Sequence, residues 1–132
     1  MPSVPANDLG ERTFRFACNV VRFCRTLSRD PGIVRNTAWQ LAAAATSAAA
    51  NYQEAKAAYS RRDFAAKNSI VLKELRESLL WLRIIIECQL GTLTEAESLR
   101  QEANELVSIF TAGMNACTRY EVHSSKFIVP SS

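Results

Sequence analysis

From Pro31 the chain runs to Pro130 without another proline, and only four glycines are spread over its 132 residues. A β-rich fold needs turn residues every 8–12 residues or so, and this chain does not hold enough of them. Long helices remain, so the sequence predicts an all-α protein. Hydrophobic residues make up 48% and charged residues 22%, which is too apolar for a disordered chain.

Helix starts are written as side-chain acceptors with a carboxylate three residues on, which returns the hydrogen bond. Asp8 with Glu11, Ser60 with Asp63, and Thr94 with Glu97 have that spacing. Asp30 precedes Pro31, and proline loses nothing at the first helical position. These signals predict helices at about residues 8–28, 31–58, 61–89 and 95–119, with tails 1–7 and 120–132. Gly91 reads as the left-handed residue that ends the third. Residues 57–60 hold neither Gly nor Pro, so the second and third elements read as two helices or as one bent helix, and the Ser60–Asp63 cap pair favours the break.

Apolar spacing assigns the buried faces. Phe16, Val20, Phe23 and Leu27 form a stripe on the first helix, which Phe14, Ala17, Val21 and Cys24 widen. The run AAAATSAAA from Ala42 to Ala50 reads as a place where a neighbouring backbone approaches closely. Leu72, Leu75, Leu79, Leu82 and Ile86 follow a seven-residue seam on the third helix, and Leu99, Ala103, Leu106, Phe110 and Cys117 share a face of the fourth. Short connections between long helices make antiparallel neighbours, hence a single domain over residues 1–132 built as an up-down-up-down four-helix bundle.

Cys18, Cys24, Cys88 and Cys117 form no CxxC pair, and His123 is the sole histidine, so buried thiols are expected in place of a disulfide framework or a zinc site. MPSVPANDLGER lacks the basic and apolar regions of a secretory signal, and no apolar run spans a bilayer, so the expected location is cytoplasmic, away from membranes. The terminal KFIV segment from Lys126 to Val129 reads as a frayed tail able to dock on a neighbour.

The combination AANYQEA, then SRRDF, then KELRESLLWL resembles the bacterial four-helix-bundle family related to the 23S rRNA intervening-sequence-encoded protein. The matching positions are Ala50, Asn51, Tyr52, Glu54, Ala55, Ser60, Asp63, Phe64, Lys67, Lys73, Glu74, Glu77, Trp81 and Leu82. DLGERTFRFA and the Gln40–Leu41 pair also fit, so the resemblance covers about residues 8–119. It implies an up-down bundle, often a pentameric ring with a positive surface, similar to the accessory protein of diversity-generating retroelements and without attached enzymatic activity. Where the family commonly has Arg-Ser, this chain has Ala43 and Ala44. A phosphate or acidic-partner contact made by that arginine would be lost here.

No phosphate loop, zinc motif or Ser/Cys/His arrangement is present, so no catalytic residue, cofactor or metal is predicted. Asn51, Glu54, Asp63, Lys73, Glu74 and Glu77 read as a structural polar network at the joint of the second and third helices. Arg15, Arg22 and Arg29 recur every seven residues and with Arg12 and Arg25 make an arginine-rich flank, while Arg61 and Arg62 add a cluster at one bundle end. By segment, residues 1–35 carry +3, residues 36–92 carry +2 and residues 93–132 carry −2. Trp39, Trp81 and the apolar surround of the third helix predict a homo-oligomer. The sequence therefore predicts a non-catalytic binding or scaffolding module acting through protein partners. The alternative is a nucleic-acid-binding protein associated with rRNA or a retroelement nucleoprotein.

Overall fold

A computed structural model describes residues 8–27 and 29–125, with side chains through residue 116. The expected tail at residues 1–7, the KFIV segment, and the side chains of Cys117 and His123 lie outside the described residues. Four helices follow one another: α1 Leu9–Leu27, α2 Ile33–Lys56, α3 Arg61–Glu87 and α4 Leu93–Ser125. Among the described residues there is no strand.

Each helix packs on its neighbour in sequence, and α1 closes the ring against α4 through a lighter contact. A Cβ placed at Gly10 would lie 3.0 Å from Lys56 Nζ, so α1 begins where α2 ends. Arg12 reaches Glu102 and Glu105, whereas Phe23 and Leu27 lie against Gly91, so α4 runs opposite to α1. These landmarks give the up-down-up-down order.

The second and third helices are separate. Ser60 is extended, at φ −139° and ψ 160°, and its Oγ accepts from the Asp63 amide at 3.1 Å. Glu11 donates its amide to Asp8 Oδ1 at 3.0 Å, so that cap pair forms too. Two starts differ from expectation. α2 begins at Ile33, after Gly32 at φ 78° with no side-chain cap, because the turn uses a conformation that side chains disfavour and keeps Pro31 outside the helix. α4 begins at Leu93, with the Ala96 amide bonded to Thr92 O. Thr92 and Glu95 repeat the spacing of Thr94 and Glu97, so the same signal was present two residues earlier.

The end of α3 is also closed differently. Gln89, at φ 58°, is the left-handed residue, with Leu90 N bonded to Ile85 O at 2.9 Å and Gln89 N to Ile86 O at 3.1 Å. That pair of bonds is a Schellman closure. Gly91, at φ 70°, is needed for close approach, since a Cβ there would come within 2.6 Å of Leu27 Cδ2 and 3.3 Å of Phe23 Cζ. At the far end α4 continues to Ser125 where a tail from residue 120 was expected, since neither Gly nor Pro interrupts that stretch.

Phe16, Val20, Leu41, Leu75, Leu82 and Leu106 are fully enclosed, and Ala45, Ala48 and Ala103 let the helices close over them. On α3 the deepest positions are Val71, Leu75, Ser78, Leu82 and Ile85, while Leu79 and Ile86 are half-buried. The inner line thus sits slightly to one side of the expected seam. Phe14 and Val21 were expected in the core but are 54% and 39% exposed.

Candidate functional site

The motif at the α2–α3 joint resolves into short-range structural bonds. Asn51 Nδ2 donates to Ser47 O at 2.9 Å, one turn back on its own helix. Asp63 supports the cap through its backbone amide. Lys67 donates to Glu54 Oε2 at 2.9 Å, which ties α3 to α2. Tyr52 meets Phe110 edge to face, with ring centroids 5.5 Å apart. Burial, with the nearby Glu77 charge as a smaller cause, pushes the Glu74 carboxyl above its ordinary value, and Lys73 opposes the shift. Lys73 itself is exposed, and no ion pair joins it to Glu77 among the described residues. Glu54 and Lys67 are therefore the members of the motif that cross between α2 and α3.

The arginines do not gather into one patch. Arg12 is clamped: its Nε and Nη2 donate to Glu102 at 3.1 and 2.6 Å, and Nη2 also reaches Glu105 at 2.7 Å. Hydrogen bonding to Glu102 raises its pKa further. Arg15 is tied to Glu11 at 3.0 Å and Arg22 to Asn19 at 2.9 Å. Arg25 and Arg29 are exposed where α1 ends, and Arg61 and Arg62 are exposed where α3 starts. Because α1 and α3 do not touch, those two groups occupy opposite corners of the bundle.

Two outward faces carry more information. On α2, Asn36, Trp39, Ala43, Thr46, Ala50 and Gln53 are all exposed and spaced alternately by three and four residues. They form a seven-residue repeat facing solvent, about 26 Å long at ~1.5 Å per residue. Exposed Arg35 and Glu54 mark its two ends, and between them it contains no charge. Trp39 is 71% exposed and lies beside a shallow groove lined by Ala42, Ala43, Ser47 and Ala50. Ala43 lies in the middle of this face.

On α3, Arg62, Lys73, Arg76 and Arg83 are exposed and fall within about 80° of one another around the helix, at ~100° per residue. Leu80, 51% exposed, sits in their middle, and Glu87 closes the line. Arg76 and Arg83 were missed in the sequence. A count of exposed-face positions at helical spacing, applied to cations as it was to leucines, would have found them. Among the described residues no three of His, Cys, Asp and Glu gather as a metal cage requires.

A family model described as 23S rRNA-intervening sequence protein matches residues 7–112. Among solved structures, the chain is similar to the crystal structure of a protein of unknown function from the S23 ribosomal protein family of Bacteroides thetaiotaomicron. The two are 27% identical with a TM-score of 0.73, over 80% of this chain and 97% of that one. No curated protein sequence matches.

Proposed function

We propose, starting from the fact that this chain belongs to the 23S rRNA-intervening sequence protein family, that it is a non-catalytic cytoplasmic binding module. It associates with itself and presents the assembled bundle to a protein partner. The observation that carries this reading is the outward face of α2 between Arg35 and Glu54, which carries no charge. A helix face in water normally carries charge, and this one offers a tryptophan and small residues that let a second helix approach closely. Ala43 strengthens the reading, since an arginine at that position would place a cation in the middle of the contact.

Light-scattering mass tests it. The wild-type chain is expected at a multiple of 14.7 kDa, and Ala43→Arg or Trp39→Lys is expected to shift it to a single chain with unchanged helicity. A single-chain mass for the wild type at about 100 μM, a concentration well above the dissociation constant of a stable oligomer, sinks the reading.

A second reading rests on the α3 stripe. Four exposed cations in line suit a phosphate backbone, and the clamped Arg12 and tethered Arg15 make the α1 flank the weaker candidate. Four phosphate contacts give a slope of log K against log salt near −3 for single-stranded RNA, at about −0.7 each. Arg76→Ala is expected to flatten the slope by about 0.7, and Arg22→Ala to leave it unchanged. Binding that ignores salt, or that Arg22→Ala weakens as much as Arg76→Ala, argues against this surface.

A further inference from the structure

Where α1 starts, α2 ends, α3 starts and α4 leaves the bundle, the four helices line an open-mouthed cavity of about 140 Å³, with exposed Phe64 and Gly113 at its rim. Its walls are apolar, with the rings of Tyr52, Phe64 and Phe110 and the thioether of Met114 among them, and no charged residue among the described ones lines it. One lining residue is out of place chemically. Asn68 is 8% exposed, and its Oδ1 is buried without a hydrogen-bond partner. A buried amide left unpaired is costly and calls for an explanation.

A second residue on the same wall is equally unexplained by packing. Gly113 lies inside α4, where glycine weakens a helix relative to alanine. Its backbone has no positive φ, and a Cβ there would meet nothing within 4 Å. Neither turn geometry nor close approach requires a glycine at this point. Glycine leaves open space here, at the exposed rim of the cavity.

We propose that this cavity is a binding site for a small neutral molecule built on one aromatic ring with a single hydrogen-bonding substituent. Three features set the class. An apolar cavity of roughly 150 Å³ takes up benzene, so the volume fits one ring. Three aromatic side chains and a methionine sulfur favour a flat π-system through edge-to-face and sulfur–ring contacts. The Asn68 amide supplies a polar anchor through its Nδ2 edge, since Oδ1 is enclosed, and among the described residues the lining offers no charge to balance an ionic ligand.

Phenol and benzene are the probes, titrated into the full chain and followed by two-dimensional amide NMR. Phenol is expected to shift the Asn68 side-chain and Gly113 backbone signals saturably and to bind about fivefold tighter than benzene, the worth of one neutral hydrogen bond. Asn68→Leu is expected to bring the two probes level. Gly113→Leu is expected to abolish binding while keeping or raising the melting temperature, since it fills the space and improves the helix. If Asn68→Leu does not fold, the wild-type comparison of probes and Gly113→Leu decide. The proposal is overturned if phenol gives no saturable shift. Binding no tighter than benzene, or undiminished in Gly113→Leu, overturns it as well.

Discussion

Two neighbouring residues at the end of α3 show opposite uses of the left-handed region. Gln89 adopts φ 58° although it has a side chain, and Gly91 adopts φ 70° against the side chains of Leu27 and Phe23. Replacing Gln89 with glycine removes the strain at the Schellman position and is expected to stabilise the protein by about 0.5–1 kcal/mol in urea denaturation. Gly91→Ala both strains the backbone and drives a methyl into Leu27, so it is expected to cost about 2–3 kcal/mol. Equal effects of the two substitutions would show the assignments to be wrong. The cysteines differ as sharply. Burial pushes the Cys24 thiol up to about 11 from 9.0, with the Ala42 backbone contact opposing, whereas Cys88 is exposed. Iodoacetamide at about pH 8, just below the ordinary thiol pKa, is expected to label Cys88 and spare Cys24, read by mass spectrometry. The folded pKa lies above the unfolded one. The contribution of Cys24 to stability is therefore full below pH 9.0 and is lost as pH rises toward about 11. A Cys24→Val variant is expected to lose that part of the alkaline decline.

At the scale of a helix, the cap at Ser60 decides that α2 and α3 are two elements. Ser60→Ala removes the acceptor for the Asp63 amide and is expected to cost about 1 kcal/mol. On α3, Leu82→Ala is expected to cost about 2–5 kcal/mol and Leu80→Ala less than about 0.5, because Leu82 is enclosed and Leu80 is 51% exposed. The contrast checks the inner line of α3 directly, since the two leucines differ in sequence only by position. Four helices, their order and most of their buried stripes were legible because apolar period and cap pairs are local signals. The places that were not legible depend on partners far along the chain. Phe14 and Val21 have the same period as Phe16 and Val20, and only the direction of the neighbouring helices leaves them outside. Gly91 was recognisable as a turn residue, but its contact with Leu27 is a tertiary fact. The arginines of α1 were countable, yet the clamp of Arg12 depends on carboxylates ninety and more residues away. The uncharged face of α2 was hidden inside an alanine run whose inner and outer residues look alike in sequence.

Across the whole molecule the helices are not equally held. α3 packs on both α2 and α4, whereas α1 packs on α2 and meets α4 along a lighter contact. That contact is reinforced by the Arg12 clamp, a bidentate pair to Glu102 with Glu105 beside it, at 20% exposure for Arg12 and 30% for Glu102. Charge-assisted bonds in a half-buried setting outweigh ordinary surface pairs. Truncating Arg12 leaves two carboxylates facing each other with no cation, so Arg12→Leu is expected to cost about 1–2 kcal/mol. The loss is expected to fall unevenly, because local opening follows local contact. Native-state hydrogen exchange is expected to show α1 amides opening at lower free energy than those of α3, with Arg12→Leu widening the gap. The Val71, Leu75 and Leu82 amides should then report the global transition, while those of Phe16 and Val20 report the partial one. Identical opening free energies in α1 and α3, before and after the substitution, would mean that the bundle opens only as one unit and that the clamp contributes no more locally than any other contact.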